Sequence, residues 1–177
     1  MKNPPRVIDF RLRPPSRGFL GMVMYADVER TRRLTAGIGM TQPPSVANRS
    51  VELMLKEMDE AGVRVGVVPG RLSPVLGTIA PDDVAAIVAD HPDRLIGYAA
   101  VDPSDRRKAV AAIDAEMKRG MKGIVLEPGL LAQPMHLDDP RMYPVYAHLE
   151  DRGVPVLFMA GGNAGPDITY KIGRAHV

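Results

Sequence analysis

Apolar positions along the chain fall into two alternating rhythms. Short, nearly continuous apolar runs occur at Arg6–Leu12, Val63–Val68, Leu95–Val101, Lys122–Leu126 and Val154–Phe158. Such runs suit parallel strands covered on both faces, where neither side of the strand meets water. Between them the apolar positions recur at helical spacing. "NRSVELMLKEMDEAG" sets Val51, Met54, Leu55 and Met58 on one stripe, with Asn48 or Ser50 as the N-cap and Gly62 as the stop. "APDDVAAIVADHPDR" opens with Pro81 and two acids, a favourable start at the positive end of the helix dipole. "SDRRKAVAAIDAEMKRG" and "DPRMYPVYAHLEDRG" follow the same grammar, each closing on a glycine. From the second strand onward, strand starts are spaced about 30 residues apart, the length of a βαβ unit.

The pattern therefore predicts α/β architecture, read as βαβαβαβαβ. Such units build either an open doubly wound sheet or a barrel. A dinucleotide-binding sheet needs G-x-G-x-x-G after its first strand. Here "RPPSRG" follows Leu12, with prolines where close phosphate approach requires glycine. The barrel is favoured, but a (β/α)8 barrel typically takes about 250 residues. The expected fold is thus an incomplete TIM (β/α)8 barrel, with about five of eight βα units present.

The tail suggests why. "IGRAHV", Ile172–Val177, back-translates to ATC GGA AGA GCA CAC GTC, part of a common short-read sequencing adapter. The adapter's preceding AG fits a lysine codon at Lys171, and its next triplet is the stop TGA. The alternative is a native basic tail. On the adapter reading, residues 1–170 are the N-terminal part of a barrel, 171–177 are an artefact, and the natural protein continues past Tyr170. Three further units would bring it to roughly 260–290 residues. A five-strand piece would leave an unpaired edge and apolar surface bare, so it is expected to be unstable or to aggregate.

Composition narrows the function only modestly. The 177 residues are 45% hydrophobic and 25% charged, with a net charge of +2. That balance suits a globular protein and gives no case for nucleic acid or a membrane surface as partner. The absence of cysteine excludes disulfides, thiolate metal sites and cysteine nucleophiles. No apolar run is long enough to span a bilayer. The expected location is the cytoplasm.

Four stretches together carry a family resemblance: "VIDFRLRPP" at strand one, "HPDRLIGYAAVDP" around strand three, "GMKGIVLEPG" at strand four, and "DDPRMYPVYAHLEDRGVPVLFMAGG" through strand five. In order and spacing the chain resembles the amidohydrolase superfamily, in its amidohydrolase-related branch with aminocarboxymuconate semialdehyde decarboxylase-like proteins. The resemblance implies a hydrolase or lyase with a divalent metal. Its ligands would be an H-x-H at the end of strand one, histidines after strands five and six, and an aspartate after strand eight. Alternate residues on a strand face one way, so H-x-H delivers both imidazoles to the barrel mouth. This chain departs from that pattern. Arg11 and Arg13 replace the histidines, and a guanidinium has no lone pair to donate. Met159 stands at the strand-five position, and a thioether is a poor ligand for zinc or manganese. The expectation is no metal at this site and no cofactor.

Candidate site residues follow from barrel geometry, because active sites lie at the C-terminal ends of the strands. Arg11 and Arg13 are either electrophilic anchors for a carboxylate, phosphate or enolate oxygen, or charged strand-end residues paired with acids. Asp9 either orients that pair or lies beneath it. Glu127, ending strand four, is either a general acid/base or the counterion of the arginines. Arg71, after strand two, and Asp102, after strand three, fall on the same side, although Asp-Pro more often starts a turn. Met159 counts as a substrate contact. His136, on the loop after strand four, is the histidine best placed to reach substrate. His91 and His148 read as a helix end and a helix face. "AGGNAGP", Ala160–Pro166, is either an anion cradle or a flexible loop. The long segment from Arg13 to Asn48, with Arg30, Arg32, Arg33, Met22, Met24 and Tyr25, reads as a binding loop, a packed cover or a subunit contact.

The expected function is a metal-independent hydrolase or lyase acting on a small, anionic carboxylate or acyl substrate. The alternative is a non-catalytic barrel that binds a ligand or partner. Homo-oligomerisation is compatible with either, and the chain as it stands is expected to be inactive.

Overall fold

The computed structural model describes residues 7–74 and 76–159. Five strands, β1 (Val7–Asp9), β2 (Val63–Pro69), β3 (Leu95–Ala100), β4 (Gly123–Leu126) and β5 (Val156–Phe158), form one sheet in the order β1-β2-β3-β4-β5. A doubly wound sheet reverses its strand order at a switch point. Strictly sequential order with helical crossovers is the arrangement of a (β/α)8 barrel, here incomplete. Among the described residues seven helices accompany the strands: α1 (Val23–Ala26), α2 (Val28–Ala36), α3 (Pro44–Asn48), α4 (Val51–Glu60), α5 (Pro81–Asp90), α6 (Arg106–Arg119) and α7 (Tyr143–Asp151). None of the described helices is long and apolar enough to cross a membrane.

The chain divides into two compact units. The first holds the described residues up to Val68 together with Ala86–Ile96. In it β1 pairs in parallel with β2, Ile8 beside Val65 and Asp9 beside Gly66. β1 is shorter than the apolar run suggested, because the Asp9 carboxylate accepts from the Arg11 amide at 2.8 Å and turns the backbone. The contact with β2 resumes at Leu12, whose amide donates to the Val67 carbonyl. Leu12 also explains Gly66: a Cβ there would lie 2.4 Å from the Leu12 Cδ2. α4 buries Met54 and Met58, is capped by the Ser50 side chain bonding the Leu53 amide, and stops before Gly62 at φ +70°. Asn48, the other cap candidate, instead donates to the Pro44 carbonyl.

The segment from Arg13 to Asn48 is a folded module rather than an open loop. A 3-10 turn (Arg17–Gly21) leads into α1, α2 and α3. Asp27 caps α2 by accepting from the Arg30 amide, and Pro44 supplies the pre-set φ that starts α3.

The second unit holds Pro69–Ala85 and the described residues from Gly97 onward. β4 lies between β3 and β5, Val125 pairing with both Ala100 and Leu157. Being central, β4 is buried along its whole length. α6 is capped by Asp105, which accepts from the amides of Arg107 and Lys108, and ends on Gly120 at φ +105°. α6 buries Ala109 and Ile113, and α7 buries Val145 and Leu149. β5 begins two residues later than the apolar run, since Pro155 has no amide hydrogen and the Val154 amide is used by the Leu149 carbonyl.

Candidate functional site

Arg11 and Arg13 follow β1 in the first unit, Arg11 exposed and Arg13 half-buried. Both line a cavity of about 300 Å³, whose other walls include Tyr25 and Ser45 and, from α4, Met54, Glu57 and Met58. The polar groups of this cavity are fixed by hydrogen bonds. The Tyr25 hydroxyl donates to the Arg13 carbonyl. The Arg49 guanidinium donates to the Tyr25 carbonyl at 2.8 Å. Glu57 accepts from the Ser45 amide at 2.8 Å and from its hydroxyl at 2.5 Å. Asp9 lines the same cavity, and its carboxylate accepts from the Arg11 amide.

Burial pushes the Tyr25 phenol up to about 12; the Arg13 charge opposes the shift and the Glu57 charge adds to it. Tyr25 is therefore a fixed donor at neutral pH, not a proton acceptor. The cavity combines the two guanidinium groups, the carboxylates of Asp9 and Glu57, a protonated phenol and methionine side chains.

In the second unit Arg71 and Glu127 meet each other. The Arg71 Nε lies 3.1 Å from the Glu127 Oε2, with side chains only 7% and 3% exposed. Arg71 is held by an antiparallel bridge to Ile79, with N–O distances of 3.1 and 2.8 Å. Before it, Gly70 lets the chain pass close to β3: a Cβ there would sit 2.9 Å from the Ala100 nitrogen. Glu127 precedes the 3-10 turn Pro128–Leu130, and its carbonyl accepts from the Leu130 amide. The sequence set Glu127 opposite Arg11 and Arg13; the ion pair it forms is with Arg71.

Asp102 is exposed and its carboxylate accepts from the Ser104 amide at 2.8 Å, a turn-forming contact. His136 is exposed on the loop after β4. Met159 is buried, and its amide continues the ladder to the Leu126 carbonyl. His91 receives the Arg94 and Leu95 amides on its carbonyl after α5, and His148 bonds the Asp114 carboxylate at 2.8 Å. Ala160–Pro166, His176 and the tail 171–177 lie outside the described residues. Sequence reasoning missed Ser45 and Glu57. The only trace of Glu57 is a carboxylate beside the apolar stripe of α4, and nothing local ties it to a serine twelve positions earlier.

The donors present do not fit the divalent ion that the family pattern implies. The two strand-one positions carry guanidinium groups, which cannot ligate. Among the described residues no group of three or more His, Cys, Asp or Glu side chains is placed to hold a metal ion.

Sequential parallel strands joined by helical crossovers define part of an α/β barrel. The amidohydrolase family profile matches residues 8–175, and the chain belongs to that family. An uncharacterised TIM-barrel protein from Bordetella bronchiseptica is 45% identical and superposes with a TM-score of 0.83, over 93% of this chain and 59% of its own. The chain thus spans little more than half the length of that relative. 5-Carboxyvanillate decarboxylase from Sphingomonas paucimobilis is 21% identical, with a TM-score of 0.53 over 85% of this chain and 50% of its own. 2,6-Dihydroxybenzoate decarboxylase from Rhizobium is 17% identical, with a TM-score of 0.52 over 84% and 46%. At these identities the two decarboxylases share the fold alone. Among curated proteins, none matches the chain.

Proposed function

We propose that the barrel to which this chain belongs is a hydrolase or lyase that acts on a small carboxylate or acyl substrate without a catalytic metal. Arg11 and Arg13 bind the substrate's anionic oxygen and stabilise negative charge as it develops, the task a Lewis acid performs in metal-dependent relatives. Guanidinium suits this role because it stays charged at every working pH and offers planar paired donors. Glu127, held by Arg71, is the candidate proton-transfer group. Arg71, Asp102, His136 and Met159 are the candidate substrate contacts. The partner is a small anionic molecule rather than nucleic acid or membrane, and the setting is the cytoplasm.

The observation that carries this reading is that both arginines line one cavity together with methionine side chains. The test is a hydrolase and decarboxylase screen on a full-length barrel that carries these two arginines. Activity should persist after exhaustive chelation, and Arg11→Ala with Arg13→Ala should lower kcat/KM by about two to three orders of magnitude, as loss of an oxyanion donor does. The 177-residue chain alone should show no turnover. Stoichiometric zinc or manganese contacted by strand one would overturn the metal-free mechanism.

A second reading, a barrel that binds a ligand without turning it over, is favoured by the buried Arg71–Glu127 pair. A carboxylate engaged in that way is poorly available for proton transfer. Carboxylate binding that depends on Arg11 and Arg13, with no product in the same screen, would select it.

A further inference from the structure

The cavity after β1 carries charge of both signs. Arg11 and Arg13 line it, and so do the carboxylates of Asp9 and Glu57. Among the described residues no ion pair engages Arg11, Asp9 or Glu57, so Arg11 is not neutralised by contact with either carboxylate. Each carboxylate is fixed by other groups. The Asp9 Oδ1 accepts from the Arg11 amide at 2.8 Å. The Glu57 Oε1 accepts from the Ser45 amide at 2.8 Å, and its Oε2 from the Ser45 hydroxyl. An ionised carboxylate offers about four lone-pair sites, so both keep capacity for a further donor.

A ligand with a single charge fits such a cavity badly. A simple carboxylate brings its charge beside Asp9 and Glu57, and a simple amine brings its charge beside two guanidinium groups. Like charges at close range repel, and each unmatched one still loses its water. A ligand that carries both signs satisfies both sets of groups. Tyr25 leaves this balance alone, because its buried phenol stays protonated at neutral pH. The apolar lining includes Met24, Met54 and Met58, and thioethers adapt their shape and pack well on aromatic rings. The volume of about 300 Å³ lies at the small end of ligand sites, a size that suits an amino acid.

We infer that this cavity binds a zwitterion, an α-amino acid with an aromatic or unbranched apolar side chain. The inference rests on the reading of Arg11 and Arg13 as carboxylate anchors, and adds that Asp9 and Glu57 receive the ligand's ammonium group. The ligand carboxylate accepts from the guanidinium groups, the ammonium donates to the two carboxylates, and the side chain lies among the methionines. Selectivity is then a difference of affinities: a ligand without the ammonium leaves two carboxylates facing its own negative charge.

Three probes that share one body separate the charges: L-phenylalanine, 3-phenylpropanoate and 2-phenylethylamine. They are titrated calorimetrically into the 177-residue chain, which contains every residue that lines the cavity. L-phenylalanine should bind about tenfold or more tightly than either singly charged probe, the effect of one further charge-assisted contact. This comparison needs no variant. Asp9→Asn with Glu57→Gln keeps an acceptor oxygen for the Arg11 and Ser45 amides, so the melting temperature should hold. In that variant the order should reverse, with 3-phenylpropanoate bound more tightly than L-phenylalanine. Equal binding of these two probes in the parent chain, lost in Arg11→Ala with Arg13→Ala, overturns the zwitterion and leaves the carboxylate reading standing. L-phenylalanine binding that is unchanged by Asp9→Asn with Glu57→Gln also overturns it. Binding of none of the probes, or binding indifferent to the two arginines, overturns both.

Discussion

Two arginine sites at strand ends, one in each unit, meet opposite fates. After β1, Arg11 is exposed, and it shares with Arg13 a cavity bounded by a phenol and methionines. After β2, Arg71 is buried and bonded to a carboxylate 56 residues away. The residue type is the same and the position along the barrel strand is comparable. What differs is burial. Arg71 is part of the core, and its removal is a question of stability. Arg11 is exposed beside a cavity that Asp9 and Glu57 also line, and its removal is expected to leave the core intact.

The largest effect that would sharpen this contrast is at Glu127. Glu127→Ala leaves the Arg71 guanidinium buried against an empty site, and should cost about 3–5 kcal/mol of unfolding free energy in a urea titration. Replacing both partners, Arg71→Met with Glu127→Leu, should cost far less, because a well-packed apolar pair needs no ionic compensation. Equal losses for the single and double variants would mean that packing alone, not charge, holds this part of the second unit.

Next in size is Gly66→Ala, which drives a methyl into Leu12 and should cost about 1–3 kcal/mol by overpacking. It tests whether the chain after β1 is held against β2 by this close contact. A neutral result would show that Leu12 swings away freely.

How much of this was legible in the sequence depends on the range of the interactions. α6 could be read to its closing glycine, since Gly120 acts on backbone a few residues away, whereas the Asp105 cap emerged only from the side-chain geometry. α4 was legible for the same reason, although the choice of Ser50 over Asn48 required the side-chain geometry. The sheet order, which decides for a barrel, comes from pairings between strands and has no local signature. The module between Arg13 and Asn48 was opaque, because α2 is polar on nearly every side and is held by contacts such as Gln42 with Val28. The pairings of Arg71 with Glu127 and of Ser45 with Glu57 bridge distant segments, so residue types alone named the candidates without joining them.

Smaller effects probe the cavity side. Tyr25→Phe removes the donor to the Arg13 carbonyl and should cost about 1 kcal/mol. The same residue gives a pH dependence. An unfolded tyrosine ionises near 10, whereas burial holds Tyr25 protonated to about 12. Its contribution is complete below pH 10 and fades as pH rises toward 12. The unfolding free energy of the parent chain should therefore fall across that window, and the Tyr25→Phe variant should lose this component of the slope. Smallest of all, Arg11→Ala should change stability by no more than about 0.5 kcal/mol, as for an exposed side chain.

That last variant leads to the measurement closest to the central claim, that Arg11 and Arg13 are anion anchors and not remnants of a metal site. Calorimetric titration of a full-length barrel bearing both arginines, with a panel of small monocarboxylates, should find binders. Those binders should weaken by about a hundredfold in the Arg11→Ala, Arg13→Ala variant, some 2.7 kcal/mol for two charge-assisted contacts, with the melting temperature unchanged. Binding that is indifferent to both substitutions would contradict the account.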